Sequence, residues 1–216
     1  GISSIWREPS GRAAPFLYGS KSWQKNAFLF ETAVVYWLQF LDEKGRYAMR
    51  LIPLWEADEQ RAYDLQMSFR PEENGFINSA YGLSRQAFSG YVQLRKRNSQ
   101  GLDLPEGYVP DTVYVLENDE GDYVGIVNLR HCLNEALRQG AGHIGYGIRP
   151  EYRGRGYATA ALALALEEAR KIVPEEEIYL SVHKDNPTSL KVQLRNGARV
   201  DHEDDREYYT RIPLPR

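Results

Sequence analysis

The sequence predicts a mixed α+β domain in which a mostly antiparallel sheet is flanked by helices. Three observations predict it. Residues 112–117 and 123–129 carry strand patterning on either side of a turn-forming stretch at 118–122, which reads as an antiparallel hairpin. The helical patterns that come before this hairpin are consecutive, so the chain is not a repeating βαβ array. Finally, residues 142–171 read as strand, tight basic Gly-rich loop and alanine- and leucine-rich helix.

In order along the chain, residues 1–42 form an N-terminal extension, and 43–216 form the domain. The extension opens with Pro9, Gly11, Pro15 and Gly19, which make its first part loop-like. The segment 25–41 is rich in Phe, Val, Tyr and Trp, and periodicity leaves helix and strand open there. Its aromatics are too many to leave in water, so it is expected to pack on the domain or on a second copy of the chain, as a homodimer. A first strand is expected over 47–53 and a helix over 56–69. Arg70-Pro71 and Asn74-Gly75 stop that helix. A second helix over 84–97 takes Ser84 as its cap and turns Phe88, Tyr91, Val92 and Leu94 inward. Its tail, Arg95-Lys96-Arg97, reads as a solvated last turn or as a phosphate patch.

Beyond the hairpin, 134–139 suggests a helical turn and 143–148 a strand. Pro174 ends the long helix, and 178–182 is a further strand. A helix over 188–196 stops at Gly197, a good residue just past a helix end. Strands over 199–202 and 207–212, joined by an acidic turn, complete the sheet.

Bulk composition narrows the function. The chain has 216 residues, a formal net charge of −3 and one cysteine, Cys132. That balance lacks the basic footprint of a nucleic-acid binder, so no nucleic-acid partner is expected. A lone thiol excludes an intramolecular disulfide framework and fits a reducing, cytoplasmic setting. The most apolar stretch, 27–41, is too short to span a bilayer and is broken by Glu31, Thr32 and Gln39; no secretory pattern opens the sequence. A soluble cytoplasmic protein with no membrane partner is the expectation.

The loop holds the chemistry. Backbone N–H groups converging at a helix start, with Arg153 and Arg155 beside them, suit a phosphorylated ligand. Gly154-x-Gly156 is followed by Thr159 where a dinucleotide fingerprint needs a third glycine or alanine, and the Gly-Lys-Ser/Thr ending of a P-loop is absent. A turn used only for tight strand–helix packing is the plainer alternative.

Arg153-x-x-Gly156-x-Ala158 resembles the Q/R-x-x-G-x-G/A loop of the GNAT N-acetyltransferase superfamily. Before it stands Ile144-Gly145-Tyr146-x-Ile148-x-Pro150-Glu151-Tyr152. After it, Asn186-x-x-Ser189 and Asn196-Gly197-Ala198 are similar to the second motif of that family. The likeness runs over about 50–209 and extends to a bacterial branch of acetyltransferases. It implies a GNAT-like sheet whose strands at His143 and Ile178 splay apart, with acetyl-CoA as cosubstrate and no metal. The amides of Gly154, Arg155, Gly156, Tyr157, Ala158 and Thr159 would then cradle the pyrophosphate, with charge from Arg153 and Arg155. Pantetheine would lie along the strand edges, and a backbone N–H between Tyr146 and Ile148 would polarise the thioester carbonyl. Asn186 and Ser189 match positions that contact CoA, and Asn186 also reads as a helix cap.

The same resemblance implies direct attack by a small-molecule or peptide amine in a ternary complex. Many relatives carry a Glu two residues before the Gly of the Ile-Gly-Tyr strand. His143 stands there, an imidazole suited to take the ammonium proton or a structural strand-end residue. His131 is a second candidate. The tyrosine that usually reprotonates the thiolate is replaced by Gln193, which leaves Tyr208, Tyr209 or water for that step. Gln193 equally suits a non-catalytic acetyl-CoA sensor. The acidic run 201–207 reads as a solvated turn or as an attractor for a cationic amine.

Overall fold

A computed structural model describes residues 49–215. The extension 1–42, its aromatic segment and the start of the first expected strand lie outside the described residues. The first sheet contains β1 (Arg50–Pro53), β4 (Asp111–Glu117), β5 (Tyr123–Arg130) and β6 (Ile144–Ile148), in the order β1-β4-β5-β6 and antiparallel throughout. A second sheet places β9 (Glu207–Pro213) between β7 (Glu177–His183) and β8 (Arg199–Glu203). The expected α+β class with an antiparallel sheet and splayed central strands is what the chain forms.

Every residue of β4 is buried because both its faces are covered. Tyr114 and Leu116 pack into a core with Val127, Leu129 and the Ala-rich face of α4 (Tyr157–Ile172), while Val113 and Val115 join Phe88, Val92 and Leu65 on the other side. This second core holds α1 (Glu59–Met67) and α2 (Arg85–Ser99) against the sheet. The period-2 alternation of the strand divides its side chains between two apolar layers. Ala160, Ala161, Ala165 and Ala169 on α4 are fully buried, and their small size lets the helix lie close to the strands.

Some boundaries differ from those the sequence suggests. The first helix begins at Glu59 because Asp58 accepts from Arg61 N–H at 2.9 Å and Leu54–Glu56 form a separate 3-10 turn. Leu94 is 43% exposed; on α2 only Phe88 and Val92 of the expected inward set are fully buried. Asn74-Gly75 does more than stop a helix. Both residues take positive φ (52° and 82°), as in a type I′ turn, and join β2 (Glu72–Glu73) to β3 (Phe76–Ile77) in a small hairpin. A short helix, α3 (Glu135–Arg138), is capped by Asn134, and α5 (Pro187–Arg195) by Asn186. Among the described residues, no helix is long and apolar enough to cross a membrane.

The two sheets meet at one point. Gly142 bridges Leu180, and His143 N–H donates to Tyr179 O at 2.7 Å. A Cβ on Gly142 would sit 2.0 Å from Tyr179 O, so only glycine allows this contact. Past it, β6 pairs only with β5 and β7 only with β9, so a gap opens between their facing edges.

Candidate active site

The gap is a cleft of about 700 Å³. Its walls are β6 and the end of β7; α5 and the first turn of α4 close one side, and the β2–β3 hairpin covers another. On the helical side, Gly156 caps α4 with φ 87°, and no side chain bonds to the first turn. The leading amides of a helix have no intrahelical acceptor. Here Tyr157, Ala158 and Thr159 line the cleft, Thr159 N–H already donating to Gly156 O at 3.0 Å, and the positive end of the α4 dipole faces it. Asn196 secures this turn from α5, its Nδ2 donating to Thr159 O at 3.2 Å and to Val192 O at 2.9 Å.

The structure brings Ile148, Arg153, Gly154, Gly156, Tyr157, Ala158, Thr159, Asn186 and Ser189 to one cleft. Two of the expected roles change. Arg155 is not on the cleft wall; it is exposed, its guanidinium 5.5 Å from the ring centroid of Tyr152. Arg153 lines the cleft, but its fork is held by Glu73 at 2.8 and 2.9 Å, and its Nε donates to Ile148 O at 2.9 Å. It fastens the hairpin to the loop and is not an uncommitted cation. Lys191 and Arg195 on α5 line the cleft as well. Asn186 is both cap and wall, accepting from Ser189 N–H at 3.1 Å.

His143 is placed differently from its expected role as base. It is fully buried and has no surface on the cleft. Its Nδ1 accepts from Tyr179 N–H at 3.0 Å, and its Nε2 faces Glu175 Oε2 at 3.3 Å without hydrogen-bond alignment. Burial holds the imidazole below its ordinary pKa, against the opposing pull of Glu175. A base must reach the acceptor nitrogen. His143 reaches none, and acts as a pin between the sheets.

The other sequence candidates also resolve. His131 bonds to Thr112 Oγ1 at 2.8 Å, away from the cleft. Tyr209 donates to Asp204 Oδ2 at 2.9 Å, a bond that raises its pKa to about 12, and neither it nor Tyr208 lines the cleft. Gln193 is buried, accepting from Thr210 Oγ1 at 2.8 Å and donating to Ser181 O at 3.3 Å. Of the acidic run, Glu207 alone lines the cleft. In the Arg95-Lys96-Arg97 tail, Arg95 pairs with Asp111 and Arg97 with Asp103, which leaves no phosphate patch of two unpaired arginines.

Two side chains on the cleft are given no side-chain role in the sequence reading. His183, at the end of β7, lines the cleft with its Nε2 3.2 Å from Glu207 Oε1. Strand alternation carries the signal: Ile178, Leu180 and Val182 are buried, so Tyr179, Ser181 and His183 share the opposite face. Tyr146 is the second. Its hydroxyl meets Ser189 Oγ at 2.8 Å on the cleft wall, and burial pushes its pKa up to about 12.

Comparison with known proteins agrees with this architecture. Residues 83–199 match the acetyltransferase (GNAT) domain family, and the chain belongs to that family. It is 30% identical over 115 residues to the uncharacterized N-acetyltransferase YycN of Bacillus subtilis (strain 168), covering 53% of this chain and 66% of that relative. The fold is similar to that of spermidine N-acetyltransferase from Vibrio cholerae, solved in complex with CoA and spermine, with a TM-score of 0.53, 19% identity and coverage of 77% of this chain and 96% of that one. It is also similar to the N-acetyltransferase PseH of Campylobacter jejuni, solved in complex with acetyl coenzyme A, with a TM-score of 0.51, 15% identity and coverage of 77% and 99%.

Proposed function

We propose that this protein transfers an acetyl group from acetyl-CoA to an amine by direct attack in a ternary complex. The observation that carries the reading is the cleft itself, with unpaired strand edges along its length and the open amides of α4 beside them. These features fit acetyl-CoA. The α4 amides suit its pyrophosphate, Lys191 and Arg195 suit its further phosphate charge, and the facing edges of β6 and β7 suit the amides of its pantetheine arm.

His183 is the base in this reading. The Glu207 carboxylate, 3.2 Å from Nε2, stabilises the imidazolium that forms by its charge, and Nδ1 is the nitrogen that takes the proton. His183 takes a proton from the ammonium of the acceptor. The freed nitrogen lone pair forms a C–N bond to the thioester carbonyl carbon, the C–S bond breaks with its electron pair leaving on sulfur, and the surplus proton left on the nitrogen passes to solvent. An amide N–H of β6 near Tyr146 steadies the carbonyl oxygen during this step.

Gln193 has no proton to give as an acid. Tyr146 is the hydroxyl on the cleft wall beside it, and at about 12 it stays protonated near neutral pH. Against an ordinary alkyl thiol near about 8.5, proton transfer from such a phenol is unfavourable by about three orders of magnitude. Tyr146 therefore donates a hydrogen bond to the thiolate, and solvent delivers the proton. The buried Gln193 network also favours a second reading, a sensor that binds acetyl-CoA without turnover. Release of free CoA thiol with acetyl-CoA and a panel of amines separates the two: turnover on an acceptor supports transfer, and tight binding without thiol release supports the sensor.

A further inference from the structure

The wall of the cleft opposite the α4 amides carries a charge that the reaction does not use. Arg130 lines the cleft at the end of β5, near the junction of the two sheets, and is partly buried, with Nη1 donating to Gly142 O at 3.0 Å. Among the described residues no carboxylate lies within ion-pair distance of it. Asp111, its cross-strand partner, pairs with Arg95, so Arg130, Arg95 and Asp111 together leave one positive charge. Burial holds the Arg130 pKa below its ordinary value, the mark of a cation that lacks full compensation.

Two residues earlier, on the same face of β5, Asn128 also lines the cleft, and its Oδ1 is buried without a hydrogen-bond partner. A buried polar atom left unpaired costs free energy unless a ligand satisfies it. Opposite Asn128 stands Gly145, where a side chain would meet nothing within 4 Å, so the space above this floor is open. Phe69, Phe76 and Ile77 give the same cleft an apolar side.

From this pairing we infer that the acceptor is an amine that also carries a carboxylate, of the free amino-acid type with an apolar side chain. Arg130 holds the carboxylate, and Asn128 Oδ1 accepts from the amine once its side-chain amide turns to the cleft. Residues i and i+2 of a strand are about 6.6 Å apart, a spacing that a hydrogen bond at each end of a short amino acid spans. A polyamine is the poorer guest. The carboxylates of the cleft are Glu73 and Glu207, which are held by Arg153 and His183, and the uncompensated charge is positive. The inference rests on the proposed transfer to an amine and deepens it.

The test compares free leucine and phenylalanine with their C-terminal amides, O-phosphoethanolamine and spermidine. Thiol release gives kcat/KM, and calorimetry on the enzyme with CoA gives acceptor binding. Wild type is expected to prefer each free amino acid over its amide by about tenfold or more, the usual size for a hydrogen-bonded charge. Arg130→Gln should erase the preference and Arg130→Lys should keep part of it, with acetyl-CoA affinity unchanged in both as the check on folding. Equal use of the amides, a preference for spermidine or O-phosphoethanolamine, or discrimination that survives Arg130→Gln overturns the inference. If no acceptor releases thiol, the transfer reading fails, and binding decides this one: amino-acid binding lost in Arg130→Gln supports it, and no amino-acid binding overturns it.

Discussion

His183 Nε2 lies 3.2 Å from Glu207 Oε1, so that β7 and β9 together present a carboxylate-paired imidazole on the wall of the cleft. Val182 and Tyr208 are paired in register just behind it, which fixes both strands where the pair forms. A base in this position predicts a specific kinetic signature. His183→Ala should lower kcat by about a hundredfold while acetyl-CoA binding holds, the usual contribution of a positioned base. Glu207→Gln should give a smaller loss in kcat, measured in the same thiol-release assay. Unchanged turnover in His183→Ala would remove the imidazole from the chemistry.

His143 should behave in the opposite way. Its imidazole is held neutral by burial, below its ordinary value of 6.5. The unfolded chain takes up this proton as pH falls through the ordinary value, and the folded chain does so only lower down. Stability contributed by the neutral ring is therefore lost as pH drops below the ordinary value, by up to about 1.4 kcal/mol per pH unit. His131 has a pKa lowered by the same cause and adds to the slope. His143→Asn keeps an acceptor for Tyr179 N–H and removes the titration. Urea melts at mildly acidic and neutral pH should show a shallower loss of stability in this variant, with kcat preserved. An unaltered slope would contradict the buried neutral state.

The Glu73–Arg153 pair ties the β2–β3 hairpin to the end of β6. The hydrogen bonds from Arg153 hold the Glu73 carboxyl below its ordinary value of 4.5. Its contribution is present above that ordinary value and is lost only as pH falls through the depressed one, so the tie is intact across the neutral range. A pair this exposed is worth up to about 1 kcal/mol. Glu73→Gln should raise amide exchange in residues 72–77 by up to about fivefold at neutral pH and leave β4 unchanged. No change in exchange would mean that the hairpin is held by Phe69 and Phe76 alone.

Much of the fold is legible in the sequence because its signals are local. The 123–129 run, the Gly-rich loop, the alanine face of α4, and the caps Ser84 and Asn186 each declare themselves within a few residues. Arg153, Gly154, Gly156, Tyr157, Ala158 and Thr159 of the loop and Asn186 and Ser189 of the second motif, far apart in sequence, are neighbours on one cleft. Side-chain commitments are a different matter. Arg153 is held by a glutamate 80 positions away, and His143 is enclosed by Tyr179 and Glu175, which only folding brings near. His183 was open to discovery by strand alternation, but Glu207 lies across a strand pairing that a single sequence does not reveal.

Calorimetric titration of acetyl-CoA into wild type and Gly156→Asp tests the central claim most directly. Gly156 holds φ 87° at the start of α4, where a side chain is strained and a carboxylate would stand against the pyrophosphate. Wild type is predicted to bind, and Gly156→Asp, confirmed folded by its thermal melt, to show no binding. Equal affinity of the two proteins would contradict the placement of the cofactor on this loop.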